Sequence, residues 1–195
     1  MIKLNIMKTN KILATLLVVT TLFLGTQMNA QSKEKTVEVG GAPMYPTKNI
    51  VENAVNSKDH TTLVAAVKAA GLVEALSSDG PFTVFAPTNS AFDKLPKGTV
   101  ETLLKPENKE MLQTILKYHV AAGNWSAKDI MGAIKKGNGK YSFKTLSGGT
   151  LTAWMKGKDV YITDENGNNS KVTIADVFQK NGVIHVVDTV VLPKM

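Results

Sequence analysis

Histidine is the residue type in this sequence that is best suited to bind a metal or to move a proton near neutral pH. The chain of 195 residues has three, His60, His119 and His185. They are far apart in the sequence, and none has another histidine four residues away, the spacing that would put two imidazoles on one helix face. The sequence therefore predicts structural or surface histidines rather than a metal centre.

The segment Asp164–Asn168 (Asp-Glu-Asn-Gly-Asn) offers carboxylate and amide oxygens at the first, third and fifth positions of a calcium-binding loop. Such a loop also needs glycine at its sixth position and a bidentate glutamate at its twelfth, where this chain has Asn169 and Ala175. Asn and Gly both accept the positive φ angles of tight turns. We therefore expect a hairpin turn between two strands here and not a calcium site.

Sequence motifs of common enzyme classes are missing from the chain. It contains no Gly-x-Ser-x-Gly nucleophile motif and no Gly-Lys-Ser or Gly-Lys-Thr phosphate loop. Gly137-Asn138-Gly139 begins like a dinucleotide-binding motif, but Ser142 stands where that motif requires its third glycine. The absence of cysteine excludes thiol catalysis, disulfides and thiolate zinc sites. We therefore expect a protein that is not an enzyme and that holds no metal or cofactor.

The charged residues limit the classes of partner. The chain has 23 basic and 16 acidic side chains, a net charge of +7, and every basic residue is lysine. Arginine is the residue that recognises guanine and phosphate with two parallel hydrogen bonds, so we expect no nucleic-acid partner. With 43% hydrophobic and 20% charged residues, the composition is that of a globular domain with a tail.

The first thirty residues have the parts of a secretory signal peptide. Met1–Lys11 carries three lysines and no acid, and an apolar run of 14 residues follows at 12–25. A membrane-spanning helix needs roughly 20 residues, so an uncleaved anchor is the less favoured alternative. Cleavage after Ala30 would leave a secreted or periplasmic protein without a membrane span, with 20 lysines against 16 acids. The remaining charge of +4 would attract anionic polysaccharides or lipid headgroups weakly.

Hydrophobic periodicity predicts helices first and strands afterwards, which favours an α+β fold over an alternating α/β fold. Residues 31–48 lack periodicity and are predicted to be a flexible leader, with at most one short strand at 36–39. Residues 49–195 are predicted to form one domain without internal repeats. The predicted helices cover 50–55, 63–70, 72–76, 89–92, 99–104 and 107–119, and the predicted strands cover 81–86, 140–145, 150–156, 160–163, 171–174 and 183–192.

Three segments resemble the sequence motifs of the fasciclin domain family. Gly80–Phe92 (GPFTVFAPTNSAF) resembles the first family motif, Asn181–Pro193 (NGVIHVVDTVVLP) the second, and Leu116–Val120 (LKYHV) the central Tyr-His element. Their order and spacing agree with the family, and the resemblance runs from about Asn49 to Pro193. It implies a fasciclin-like α+β wedge: a small β-sandwich-like core with several short helices packed along one side, in a single-domain secreted or periplasmic bacterial protein.

The resemblance also implies a role and candidate interaction residues. Fasciclin domains are extracellular or envelope interaction modules associated with cell adhesion, and they are not enzymes. In animal matrix members, the Tyr-His element and an Asp-Ile motif before the second family motif are linked to integrin contact. The matching residues here are Tyr118 and His119 in the first and Asp176 and Val177 in the second. Tyr118 and His119 also lie on the apolar face of a predicted helix, which suits a structural role, and Asp176 also suits capping of the turn after strand 171–174.

Two functions follow from these observations. The first is a non-enzymatic extracytoplasmic binding and adhesion module, for surface attachment or cell–cell contact, with a protein or polysaccharide partner at the cell surface. The alternative, which is implied by the resemblance to carotenoid-binding algal members, is a carrier of an apolar small molecule such as a carotenoid. Such a ligand would occupy a cleft between the helices and the sheet.

Overall fold

The computed structural model describes residues 35–194. The predicted signal peptide at 1–30 and its cleavage site after Ala30 lie outside the described residues. The elements in chain order are β1 (Val37–Val39), β2 (Ala42–Met44), α1 (Ile50–Ala54), α2 (Thr61–Ala70), α3 (Val73–Ser77), β3 (Phe82–Pro87), α4 (Asn89–Phe92), α5 (Thr99–Leu103), α6 (Lys109–Tyr118), β4 (Val120–Ala122), α7 (Ala127–Lys136), β5 (Lys140–Lys144), β6 (Thr150–Lys156), β7 (Asp159–Thr163), β8 (Asn169–Gln179) and β9 (Gly182–Val187).

The helices are short. The longest described ones, α2, α6 and α7, have ten residues each. Within residues 35–194, no helix has the length and apolar character needed to cross a lipid bilayer.

Seven strands form a sheet in the order β4-β3-β9-β8-β7-β6-β5. β3 and β9 run parallel, and the other neighbouring pairs are antiparallel. The strands of the two family-like motifs therefore lie side by side, with Phe82 opposite Gly182 and Pro87 opposite Val187. The helices precede most of the strands, as predicted, and the α+β class is confirmed.

The sheet bends at β8, which is eleven residues long and pairs with β9 on one side and β7 on the other. Its pairing with β9 shifts register between Val172 and Ile174 and again between Ile174 and Val177. Bulges of this kind increase the local twist of a strand. The far edges of the curled sheet meet where Ala121 of β4 pairs with Thr145, the residue after β5. The sheet is thereby nearly closed.

Two clusters of buried apolar side chains form the core, and β3 contributes to both. Val84 and Ala86 point towards the cluster under the helices, whereas Phe85 points into the cluster enclosed by the curled sheet. This is the alternation that the sequence predicts for the strand, because successive side chains of a strand point to opposite faces. β3 is thus the strand that joins the helical layer to the inside of the sheet.

Residues 35–48, the described part of the predicted flexible leader at 31–48, contain the strand expected near 36–39 and a second strand that was not expected. β1 and β2 form a hairpin across Gly40 and Gly41, both at positive φ. Val39 and Met44 are 2% and 3% exposed and belong to the core cluster under the helices. The hairpin was not predicted because a Gly-Gly pair is typical both of a tight turn and of a flexible linker.

Besides β2, the predicted elements do not include β4 and α7. β4 is only three residues long, which is too short to show a hydrophobic periodicity. α7 begins at a capping box, in which the Ser126 hydroxyl accepts from the Asp129 N–H and the Asp129 carboxylate accepts from the Ser126 N–H. Ile130 and Ile134 are its buried residues, four positions apart. The Ser-x-x-Asp pattern followed by this spacing is a helix signal that periodicity analysis could have found.

The strand predicted at 183–192 ends earlier, at Val187. Beyond it, Asp188 exchanges hydrogen bonds with Lys171: its N–H donates to the Lys171 carbonyl, and its carboxylate accepts from the Lys171 N–H. Residues 189–193 then continue without a strand partner, and the turn at 164–168 holds them instead. The apolar sequence continues beyond the end of the strand because Val190 and Val191 are still buried.

Gly132 within α7 and Gly137, the C-cap after it, are expected to respond in opposite ways to alanine substitution. A Cβ at Gly132 would meet no atom within 4 Å, whereas a Cβ at Gly137 would collide with the carbonyl oxygen of Lys140. We expect Gly132→Ala to raise the free energy of unfolding by about 1 kcal/mol, because alanine is the better helix former. Gly137→Ala should lower it by about 1–3 kcal/mol. Denaturant titration of both variants checks the pair, and equal effects would contradict the geometry.

Candidate functional site

Tyr118, the first of the four candidate interaction residues, is the last residue of α6 and is fully buried. Its hydroxyl donates to the carbonyl of Thr150 at 2.7 Å and accepts from the N–H of Glu165 at 3.0 Å. Burial raises the pKa of Tyr118 to about 12, so the phenol stays neutral. Tyr118 thereby joins α6 to β6 and to the turn after β7.

His119 follows directly and is 3% exposed. Its Nε2 accepts from the N–H of Val191 at 3.2 Å, which places the ring proton on Nδ1, and Nδ1 donates to the carbonyl of Ile115 at 2.8 Å. Burial lowers the pKa of His119 to about 4. The imidazole is therefore neutral, and hydrogen bonds from its two nitrogens connect α6 to the C-terminal segment.

Asp176 and Val177 lie at the bulge of β8. Val177 is 1% exposed, pairs with Ile184 of β9 and packs in the core under the helices. Asp176 has a φ of 59°, in the left-handed region that aspartate tolerates. Its carboxylate accepts from the N–H of Ala127 at 2.6 Å. Asp176 thus holds the first residue of α7, rather than capping the turn after strand 171–174.

The four candidate residues occupy two separate places. Tyr118 and His119 hold the C-terminal part of the chain, whereas Asp176 and Val177 support the start of α7, and no hydrogen bond between the two pairs is found among residues 35–194. The side chains of Tyr118, His119 and Val177 expose no more than 3% of their surface. These three side chains therefore cannot contact a partner directly. They can affect binding only by positioning the surface segments around them.

The predicted hairpin turn at Asp164–Asn168 is confirmed, and its acidic side chains bind backbone. Asp164 is 6% exposed, and its carboxylate accepts from the N–H groups of Asn166, Asn168 and Leu192 at 2.8–3.0 Å. Glu165 accepts from the N–H groups of Thr150 and Lys194. The turn therefore clamps the C-terminal segment onto the sheet. Within the described part of the chain, no three histidine, aspartate or glutamate side chains are grouped so that they could hold a metal ion.

His185 belongs to the support of α7 as well. It is 1% exposed and stacks on Phe85 with ring centroids 5.9 Å apart. Its Nδ1 accepts from the N–H of Asp176 at 3.4 Å, and its Nε2 donates to the carbonyl of Trp125 at 2.8 Å. Burial lowers the pKa of His185. Asp176 and His185 together connect the β8 bulge to both residues that flank Ser126, the N-cap of α7.

Trp125 is a surface aromatic residue that the sequence reasoning did not single out as a site. Its N–H donates to the Thr83 hydroxyl at 2.9 Å, and its indole N–H donates to the Ala122 carbonyl at 3.1 Å. The ring lies beside Tyr141 and Phe143, with centroids 5.2 and 5.4 Å away. Local sequence patterns could not predict this aromatic cluster, because Trp125 and Tyr141 come into contact only after α7 reverses the direction of the chain.

The comparisons with known proteins identify this architecture. The sequence model of the Fasciclin domain matches residues 58–193. The chain belongs to the fasciclin domain family. The match begins after the β1–β2 hairpin and α1, although both pack in the same core.

Two relatives and one solved structure indicate the range of the family. Protein sll1483 of Synechocystis sp. is 47% identical over 165 residues, which cover 85% of this chain and 84% of that protein. The cell surface glycolipoprotein MPB83 of Mycobacterium bovis is 32% identical over 172 residues, which cover 86% and 69%. A FAS1 domain pair from the insect cell adhesion molecule fasciclin I superimposes with a TM-score of 0.67 at 17% identity, covering 82% of this chain and 58% of that one. The last likeness establishes the fasciclin-like fold.

The structural role of Asp176 can be measured. Asp176→Ala should lower the free energy of unfolding by about 2 kcal/mol, because it removes the acceptor of the Ala127 N–H and puts alanine at positive φ. Asp176→Asn keeps an acceptor and tolerates this φ, so the expected loss is below about 1 kcal/mol. Chemical denaturation of the two variants separates these values. Wild-type stability of Asp176→Ala would contradict the assignment.

Proposed function

We propose that the protein is a non-enzymatic extracytoplasmic binding module that acts in surface attachment or cell–cell contact, with a protein or polysaccharide as its partner. Membership of the fasciclin domain family supports this, as does a relative that is named a cell surface glycolipoprotein. The predicted signal peptide supports a secreted or periplasmic location.

One structural observation favours a binding module over an enzyme. Strongly shifted pKa values often mark catalytic groups. The pKa values of Tyr118 and His119 are strongly shifted, and that of His185 is lowered by burial. Each of them is buried, however, and the polar atoms of each side chain form hydrogen bonds with backbone groups of the same chain. A catalytic acid or base must instead reach a proton of the substrate. The pKa shifts of these three residues are therefore a result of their burial at structural positions.

Deletion of the gene tests the proposal. We expect the deletion strain to attach to surfaces and to form biofilm less well than its parent, and a copy of the wild-type gene should restore attachment. Complementation with a variant that unfolds serves as the control for expression alone. Normal attachment and normal biofilm in the deletion strain would count against an adhesive role.

The second candidate, a carrier of an apolar small molecule such as a carotenoid, is favoured by one observation. An apolar crevice of about 50 Å³ lies between α1, α2, α3 and the sheet, lined by side chains that include Val51, Val67, Leu76 and Leu116. Pockets for small molecules measure roughly 300–1,000 Å³, so a carotenoid would require the helices to move apart. Expression in a carotenoid-producing host tests this: coloured purified protein supports a carrier, and colourless protein counts against it.

A further inference from the structure

A groove runs along the outer side of α7, where the helix faces β5. It has a volume of about 710 Å³ and is lined by the half-buried rings of Trp125 and Tyr141, by Gly132 and by the side chains of Lys128 and Lys136. This volume falls within the range of ligand sites, roughly 300–1,000 Å³. Asp176, one of the four predicted interaction residues, holds the backbone at its Trp125 end together with His185.

The aromatic wall of the groove is rigid before any ligand arrives. Hydrogen bonds fix the backbone N–H, the backbone carbonyl and the indole N–H of Trp125. Tyr141 packs edge-on against buried Phe143, with ring centroids 4.9 Å apart. Aromatic rings that do not have to be ordered on binding give up little entropy, so they contribute strongly to affinity.

Gly132 keeps the groove open at a cost to the helix. A glycine within a helix costs about 1 kcal/mol relative to alanine. Gly137 has a structural reason to be glycine, because a Cβ there would strike the Lys140 carbonyl, but a Cβ at Gly132 would meet nothing within 4 Å. Neither packing nor backbone conformation requires a glycine at Gly132. Its effect is to leave the helix surface bare between the aromatic wall and the lysines.

The charge of the groove is positive on balance. Lys128 and Lys136 line it, and neither is in an ion pair in the described structure. One acid, Asp129, also lines it, and its carboxylate accepts from both the hydroxyl and the N–H of Ser126. The lysines are therefore the cations available to a ligand with negative charges.

We propose that this groove binds a segment of an acidic polysaccharide, such as a polyuronate, and that this contact is the attachment step; the inference rests on the proposed binding function. The C–H groups of a sugar ring carry slight positive charge and pack on the negative faces of Trp125 and Tyr141. Carboxylates along the polysaccharide pair with Lys128 and Lys136, and hydroxyls take the place of water over Gly132.

A lipid surface is the less suited partner for the same charges. Insertion into the headgroup region requires protruding apolar side chains next to the basic residues. The large apolar side chains that are exposed in the described structure are Val55, Met111, Leu146 and Phe178, and none of them lines this groove. A concave surface with a bare helix backbone fits a ribbon-like chain better than a membrane.

Binding of a hexameric oligogalacturonate to the purified protein tests the inference. In a Trp154→Phe background, Trp125 is the only tryptophan, so its fluorescence should change on titration, and calorimetry should confirm the affinity. The affinity should fall as salt is raised. Maltohexaose, which is neutral, should bind at least about tenfold more weakly, since it lacks the charges that pair with the lysines.

Two substitutions at Gly132 form the matched test. Gly132→Leu fills the groove and should weaken oligogalacturonate binding by about tenfold or more, whereas Gly132→Ala should change it little. Gly132→Ala should be folded, since its Cβ meets no atom within 4 Å, and circular dichroism checks that Gly132→Leu is folded as well. Trp125→Ala should weaken binding by a similar factor, the scale of one lost aromatic stack. Equal affinity of the Leu and Ala variants would overturn the inference, as would tighter binding to phosphatidylglycerol vesicles than to the oligosaccharide.

Attachment of cells to a surface coated with these variants separates the two proposals. If Gly132→Leu abolishes both oligosaccharide binding and attachment, the groove is the attachment site. If the wild-type protein supports attachment but does not bind the oligosaccharide, the groove inference fails and the binding function stands. If folded wild-type protein supports no attachment while it binds the oligosaccharide, attachment through this groove is refuted and a polysaccharide site remains.

Discussion

Protonation of His119 is expected to lower the free energy of unfolding by about 3 kcal/mol as the pH is lowered from 7 to 4. In the folded state the pKa of His119 is about 4, against 6.5 for an exposed histidine. Between these two values the unfolded chain binds a proton that the folded chain does not bind. Protonation therefore favours the unfolded state, and the stabilisation is complete above pH 6.5 and lost as the pH approaches 4.

Two further histidines act in the same direction. Burial lowers the pKa of His60 and of His185, so each adds to the loss of stability below pH 6.5. Denaturant titrations at a series of pH values measure the slope. The control is His119→Gln, which is expected to be less stable at pH 7 but to lose less stability between pH 7 and 4. A wild-type stability that stays constant over this range would contradict the burial and the neutral state of His119.

Removal of the Asp164 carboxylate is the second large effect that we expect. Asp164→Ala should lower the free energy of unfolding by about 4 kcal/mol, because three backbone N–H groups lose their acceptor and hydrogen bonds to a charged group contribute more than neutral ones. The loss should be greatest at residues 189–193. Hydrogen exchange at the Leu192 amide should therefore accelerate more than exchange in β3.

Two conservative variants make this result specific. Asp164→Asn keeps one acceptor oxygen but turns an amide N–H towards the Leu192 N–H, so about half of the loss is expected. Glu165→Gln keeps an acceptor on an exposed side chain and should cost less than about 1 kcal/mol. Equal stability of the Asp164→Ala and Glu165→Gln variants would show that the turn does not hold the C-terminal segment.

Much of the fold could be predicted from local patterns. The alternation along β3 assigned its two faces correctly, and Gly71 ends α2 in the left-handed conformation that favours glycine. The β1–β2 hairpin could not be predicted in this way, because its burial depends on contacts with distant elements of the core. The early end of β9 likewise depends on hydrogen bonds to a turn more than twenty residues upstream in the chain.

The candidate site could be predicted only in part. The apolar helix face indicated that Tyr118 and His119 are buried, but their partners Thr150, Glu165 and Val191 are far away in the sequence. Asp176 had no local sign that its carboxylate would reach α7, since the contact depends on the bend of β8. Spacing locates a residue on an element, whereas its partners depend on how the elements pack.

Attachment of cells of the source organism to a coated surface tests the central proposal, a fold-dependent binding function, most directly. One surface carries the folded protein, with circular dichroism of the coating stock as the check, and the other carries the same amount of heat-unfolded protein. We expect cells to attach to the folded coat and to be released by added oligogalacturonate. Equal attachment to the two coats would contradict a binding surface built by the fold.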